Sequence, residues 1–292
     1  GTDAFGLPPV APATGPFPGR PFLQTIWEER ARPEDGLLLA EIPDGLLAMC
    51  RRDGLVEMVG EPDLTDYRTP LGGRVRELVA EVVGALSPGT RFRFDHLPGE
   101  AAEAIGEGLG GRAPIYQDVA AVLPLPASFD DYLAGIGKKE RHELRRKRRR
   151  FEEAVGTVAH ETHRGEGWAF EELVRLHRLA EGAKGRFMTS AVERLFRRLI
   201  HLPGWQIDLL RGPEGAAACV VGYADPTGYY LYNSSYDPDL RDGSPGVVLL
   251  AALIEQAISD GLPRFDFLRG NEVYKFKMGA EPRPLYLLEA VT

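Results

Sequence analysis

The sequence predicts a mixed α/β fold, an α+β sheet with interleaved helices, arranged as two similar lobes in tandem. Three observations carry that prediction. Short apolar runs alternate with amphipathic stretches through all 292 residues, as strands and helices sharing one chain do. Asp-Gly pairs recur at hairpin spacing at Asp35-Gly36, Asp44-Gly45 and Asp53-Gly54. The order of elements in the second half repeats that of the first: RFRFD at Arg91 and RFDF at Arg264 lie 173 residues apart, and the long helix expected before each keeps nearly the same offset.

Residues 1–21 carry Pro8, Pro9, Pro12, Pro16, Pro18 and Pro21 among small residues. That composition extends the backbone and predicts an arm without a core of its own. A helix is expected over 22–32, then GLLLAEI, LLAMCRR and LVEMVG as an antiparallel meander of three strands. An amphipathic helix follows over 74–86, then the strand RFRFDHL, a short helix over 100–107 and a strand over 115–123. In the second half, helices over 168–181 and 191–201 lead to strands QIDLLR, AAACVVGYA and GYYLYNSS. A long helix over 246–260, the strand RFDFLRG, a short helix over 272–278 and the strand LYLLEAV complete it. The division expected is an arm of 1–21, an N-terminal lobe of 22–127, and a C-terminal lobe of 128–292 that includes a basic helix over 138–153.

Hydrophobic residues make up 43% and charged residues 27%, proportions of a globular chain with a core, which exclude disordered and collagenous classes. No apolar run approaches the ~18 residues of a membrane span, so no membrane partner is expected. The chain opens on Gly1 with neither an initiator Met nor a signal-like segment and reads as a trimmed cytoplasmic protein. Cys50 and Cys219 sit in strand-like runs and read as buried thiols. His160 and His163 are three apart without a third ligand, and His142 and His177 lie in helical polar patterns, so no metal site is expected.

Formal charge is −8, which argues against general nucleic-acid binding. Its distribution is uneven. Lys138–Arg150 holds nine Lys or Arg against Glu140 and Glu143, a local +7 that leaves −15 elsewhere. Leu144 and Phe151 give this helix a narrow packing stripe with Lys147 between them. The rest faces water or binds an anion such as tRNA or an acyl-CoA phosphate.

Two clusters can carry chemistry. Gly243-Ser244-Pro245-Gly246 stands directly before the long helix, where backbone N–H groups favour an anion, with Arg241 just upstream; the plain alternative is a helix start with Ser244 as N-cap and Pro245 at N1. RFDFLRGNEVYKFKM gathers Asp266, Arg269, Glu272, Tyr274, Lys275 and Lys277 at a strand end, where open sheets place ligands; there the plain alternative is a surface ion-pair cluster. Alternation puts Asp266 on the face opposite Phe265 and Phe267. Of the tyrosines on the neighbouring strands, Tyr232 and Tyr236 lie nearest the loop and are the candidates for substrate contact.

The run YYLYNSSYDPDL…SPGVVLLAALIEQAISDGLPRFDFLRGNEVYKFKMGAEP, with KKERHELRRKRRRFEEA upstream, resembles the GNAT-type acetyltransferase domain of CelD-like proteins, relatives of the FemAB/FemX ligases. The resemblance covers 129–281, and LTDYRTPL near Asp66 and Tyr67 matches more weakly. It implies two GNAT-like lobes in tandem, Fem-like, and an N-acyltransferase moving an acyl group from acyl-CoA, as acetyl-CoA, to an amine acceptor on a small molecule, peptide or sugar. In that family the loop before the long helix holds the pyrophosphate, a role implied for Gly243, Ser244 and Gly246, with Arg241 and Val247 beside them. The implied catalysis is direct attack, with Asp266 or Glu272 assisting deprotonation, Tyr274 protonating the leaving thiolate and Lys275 stabilising negative charge. Substrate contacts would come from Tyr232, Tyr236 and Arg269. Arg241-Asp242-Gly243-Ser244-Pro245-Gly246 follows the family loop only loosely, and Pro245 removes one donor. FemX-type relatives use aminoacyl-tRNA, so a tRNA-dependent ligase using Arg145, Arg146, Arg148, Arg149 and Arg150 stays open, as does a binding module without turnover. The matching N-terminal position, Pro70-Leu71-Gly72-Gly73, would serve acceptor binding or scaffolding.

Overall fold

In the computed structural model, which describes residues 7–292 and only the backbone of 183 and 184, the first turns form where the Asp-Gly pairs are. Helix α1 (Arg20–Arg30) leads into β1 (Gly36–Ile42), β2 (Gly45–Arg52) and β3 (Leu55–Met58), an antiparallel meander paired from Gly36↔Arg51 and from Met49↔Met58. Asp53 and Gly54, at φ 50° and 76°, make the left-handed two-residue turn whose twist matches a hairpin. The short β4 (Leu71–Gly72) pairs with β2. Helix α2 (Val75–Gly84) buries Val75, Leu78, Val79 and Val82, one face at the 3.6-residue period. It carries the chain to β5 (Arg91–Pro98), which lies parallel to β3. Helix α3 (Gly99–Gly108) and β6 (Ile115–Pro124) follow.

The same plan recurs. After α4 (Phe129–Gly135), α5 (Lys138–Val155), β7 (Ala159–His163), α6 (Gly167–Leu179), α7 (Gly182–Phe187) and α8 (Ser190–Leu199) comes a second meander. Its strands are β8 (Trp205–Gly212), β9 (Gly215–Asp225) and β10 (Gly228–Tyr236). A 3₁₀ turn (Pro238–Gly243), the long α9 (Pro245–Ser259) and β11 (Arg264–Arg269) parallel to β10 complete the unit, before α10 (Val273–Lys277) and β12 (Glu281–Val291). Meander, long helix and parallel strand thus occur twice, as the repeated order predicted.

Two compact units result, one of residues up to Ala120 with Pro282–Thr292, the other of Ala121–Glu281. The first has the strand order β1-β2-β3-β5-β12, the second β11-β10-β9-β8-β7. The first core gathers Leu47, Met49, Val56, Leu78, Phe92, Phe94 and Leu288. The second is built on α9, whose Leu249, Leu253 and Ile254 meet Phe151, Phe265 and Phe267, each buried apolar side chain contributing roughly 1.5–3 kcal/mol.

Two expectations change here. The division falls at Ala120 and Pro282 instead of between 127 and 128, because β12 pairs antiparallel with β5 from Leu285↔Pro98 to Val291↔Arg91 and so joins the first unit. The proline-rich arm, whose first six residues lie outside the described residues, is buried at Ala11 and from Ala13 to Phe17. Phe17 is 1% exposed and meets Phe22 and Tyr67 edge-on. Prolines leave few N–H groups to satisfy, and Arg283 donates to the carbonyls of Pro12 and Ala13 (2.9 and 2.6 Å), which lets this segment lie buried. No described helix is long and apolar enough to cross a membrane.

Candidate functional site

Strands β10 and β11 pair only at Tyr229↔Phe265 and Tyr230↔Asp266 and then part. Both strands carry a local cause. On β10 the register with β9 shifts between Leu231 and Asn233, a bulge that bends the strand. The Asn233 amide is held at 2.6 Å by Nε2 of the buried His177, whose Nδ1 meets the Leu173 carbonyl at 3.0 Å. On β11, Leu268 turns to φ 59° and donates its N–H to the Asp266 carboxylate at 2.8 Å. The ammonium of Lys275 donates to the Arg269 carbonyl at 2.8 Å and to that of Leu268 at 3.4 Å. On the β11 side, the Leu268 N–H and the Leu268 and Arg269 carbonyls are thus taken up by the side chains of Asp266 and Lys275 in place of a longer ladder.

Beside this separation lies a cavity of ≈ 270 Å³ lined by Ser234 and Tyr236 of β10, by Arg241, Ser244, Gly246 and Val247 at the start of α9, and by Tyr274. Ser244 adopts φ 57° and caps nothing with its hydroxyl. The N–H groups of Val247 and Val248 already donate to the Ser244 carbonyl (3.0 and 3.2 Å), and Pro245 has none. The Gly246 N–H, the Ser244 hydroxyl and the exposed Arg241 guanidinium are what this helix start offers an anion.

Tyr274 brings its phenol to the same cavity. Its ring sits edge-on to Phe267 at 6.3 Å, and its hydroxyl has no hydrogen-bond partner among the described residues. Burial, with the nearby Glu272 charge, pushes its pKa up to about 12, so it is protonated throughout the neutral range.

The structure therefore brings Tyr236, Arg241, Ser244, Gly246, Val247 and Tyr274 together. It does not bring the others. Asp266 is 0% exposed, with one carboxylate oxygen on its own strand's backbone. Lys275 is 3% exposed, enclosed by the carbonyls it serves and by Glu272 at 2.9 Å. Glu272 stands half-exposed; burial raises its pKa, but the Lys275 hydrogen bond, a backbone hydrogen bond and the Lys275 charge outweigh that and hold it below the usual carboxylate range. Gly243 faces away, since a Cβ there would lie 2.6 Å from the Phe151 ring. Tyr232 packs between Trp205 (5.1 Å) and Phe196 (5.3 Å). Arg269 contributes its carbonyl to Lys275 and does not line the cavity. His177, expected in a helical polar pattern, is 0% exposed; its pairing with Asn233 escaped the sequence reading, the one signal being Asn233, a poor strand former inside YYLYNSSY.

The histidines of β7 are engaged elsewhere. The fully buried Asp208 accepts from Tyr229 (2.6 Å), Thr162 (2.6 Å) and Gln206 (2.9 Å) and meets His160 at 2.9 Å, while His163 lies between Glu161 and Glu166. On α5, Phe151 is buried and Leu144 packs against the core, as the stripe predicted. Arg146, Arg148 and Arg149 pair with Glu143, Glu152 and Glu153 on the same helix. Arg145 and Arg150 are exposed and make no ion pair among the described residues, although the Arg150 charge acts on Glu143.

Residues 138–276 match the family model for the acetyltransferase (GNAT) domain, inside the 129–281 stretch that carries the resemblance. Among solved structures, FemX shares the fold over 100% of this chain and 95% of its own, at TM-score 0.67 and 10% identity. L-PGS from Bacillus licheniformis does so over 94% and 93%, at TM-score 0.61 and 13% identity. The C-terminal domain of a putative lysylphosphatidylglycerol synthetase from Agrobacterium fabrum does so over 91% and 90%, at 0.60 and 11%. At these identities the likeness is one of fold, here the Fem-like tandem of two GNAT-like lobes. No curated protein matches the sequence.

Proposed function

We propose that the second unit transfers an acyl group from acyl-CoA to an amine by direct attack. The observation that carries this reading is the joining, in one cavity, of an anion-accepting helix start at Arg241, Ser244 and Gly246 with a protonated phenol at Tyr274. The phosphates of the donor would lie at the helix start and its thioester would reach along Ser234 and Tyr236 into the gap between β10 and β11. There the amine nitrogen attacks the carbonyl carbon, the C–S bond breaks, and Tyr274 donates to the departing thiolate. The nitrogen, now carrying an extra proton, replaces the one Tyr274 gives. Asp266 and Lys275 act as positioning residues that keep β11 turned away from β10. Glu272 at the rim is the carboxylate left to receive a proton from an arriving ammonium.

Calorimetric titration with acetyl-CoA and longer acyl-CoAs at two salt concentrations tests the donor. Micromolar binding that Arg241→Glu weakens at least tenfold, with turnover lost in Tyr274→Phe, is expected. Absence of binding to every acyl-CoA would overturn it.

The exposed Arg145 and Arg150, neither held in an ion pair among the described residues, favour a second reading with aminoacyl-tRNA as donor. That reading requires a log-log salt slope of about −0.9 per phosphate contact on duplex regions and its loss on charge reversal at both positions.

A further inference from the structure

The first unit holds a buried guanidinium that its own chain leaves half used. Arg68 is 2% exposed and donates from Nη1 to Asp95 at 2.5 Å, while its Nε and Nη2 find no hydrogen-bond partner. The hydroxyl of Thr65, 1% exposed, has none either. Both residues line one small chamber of ≈ 20 Å³ beneath Phe17 and Tyr67. Leu23, Leu46, Ala48 and Val59 line that chamber and also an apolar groove of ≈ 240 Å³ between α1 and the β1–β2 hairpin. The outer wall of the groove is Trp27 with Leu37 and Leu39, which are 43% and 55% exposed although the strand's other face is core.

We infer that this groove and the chamber sharing its wall bind a monocarboxylate with an apolar body, its carboxylate on the Arg68 fork and Thr65 and its alkyl or aryl part along Leu37, Leu39 and Trp27. Nε and Nη2 are the two parallel donors that grip a carboxylate in its own plane. The Thr65 hydroxyl is a third donor. A chamber on the scale of one or two water molecules admits two planar oxygens more readily than a tetrahedral phosphate. Asp95 and Glu57 already balance Arg68 and Arg93, so a dianionic head group would bring two uncompensated charges and a monocarboxylate one, set against the two free donors of the Arg68 fork. The groove supplies no polar pairing along its length beyond Arg20, Gln24 and Glu41 near its edge, which selects an apolar body. The site lies wholly in the first unit and does not depend on the chemistry assigned to the second.

The full chain is titrated with decanoate, decanol and decyl phosphate, followed by Trp27 fluorescence, with Trp27→Phe as the control, and by calorimetry. Saturable decanoate binding at least tenfold tighter than that of decanol or decyl phosphate is expected. Thr65→Val and Leu39→Asp should each weaken it at least fivefold. Thr65→Val should leave Tm unchanged, because the hydroxyl it removes has no partner in the free protein. Arg68→Lys, which keeps the charge and loses the fork, should abolish binding; if it fails to fold, Thr65→Val and the exposed Leu39→Asp still decide. Decanoate binding that is unsaturable, unchanged in both variants, or weaker than that of decyl phosphate overturns the proposal and leaves the chamber to ordered water or to another head group.

Discussion

The ammonium of Lys275 lies 2.8 Å from the carbonyl oxygen of Arg269, bridging α10 to the end of β11. This contact, with the Asp266 carboxylate on the Leu268 N–H, closes the backbone accounting of a strand that leaves its neighbour early. Lys275→Met would strand buried carbonyls, at about 1–3 kcal/mol for each group left unsatisfied. Urea unfolding should show that loss, and acyl-CoA affinity should fall with it. Unchanged stability with lost turnover would return Lys275 to a direct chemical role.

Tyr274→Phe removes a hydroxyl with no protein partner, so Tm should hold. Turnover should fall by about 10²-fold or more, as when a general acid is deleted, with KM for acyl-CoA little changed. On the proposed mechanism the acid form is the active one, and its pKa is raised to about 12. The contribution of Tyr274 is therefore complete below that value and lost as pH rises through it. A pH–rate profile should show no descending limb from this group in the neutral range.

Gly243 and Gly246 separate packing from binding. A Cβ at Gly243 would meet the buried Phe151 ring at 2.6 Å, whereas one at Gly246 would meet Tyr236 at 3.7 Å, an ordinary contact. Gly243→Ala should cost about 1–3 kcal/mol by overpacking, and Gly246→Ala should leave the fold intact. Thermal denaturation of the two variants side by side decides it.

Burial, followed by the Glu57 charge, pushes the Cys50 thiol up to about 11. Thiolate is the reactive form, so Cys50 should stay silent to Ellman's reagent at pH 8 until the protein is denatured. Rapid labelling of the native chain would contradict the buried environment.

The repeated plan was legible because it is written in local periodicity: the α2 stripe, the α9 run and the Asp53-Gly54 turn each depend on neighbours in sequence. Six of the cavity residues were legible for the same reason, standing at a strand end, beside a helix start or in one short helix. Asp266 and Lys275 misled because alternation tells which face a side chain takes and not whether another element covers that face. Gly243 misled because its neighbour Phe151 lies 92 residues earlier. Arg68 and Thr65 gave no signal, since an unpartnered donor is a property of packing and has no pattern along the chain.

The return of β12 to the first unit makes that unit discontinuous: its sheet is completed by the last eleven residues of the sequence, Pro282–Thr292, after 161 residues belonging to the other unit. During synthesis the first unit cannot close its sheet until the second has been made, while the second can form from an uninterrupted stretch. Removing the final strand should therefore expose β5 along the edge where Val291↔Arg91 and Leu288↔Phe94 pair, an open template for strands of other molecules. The final strand is accordingly a poor place for truncation, and the aggregation such truncation invites would originate at β5, far earlier in the sequence than the deletion itself.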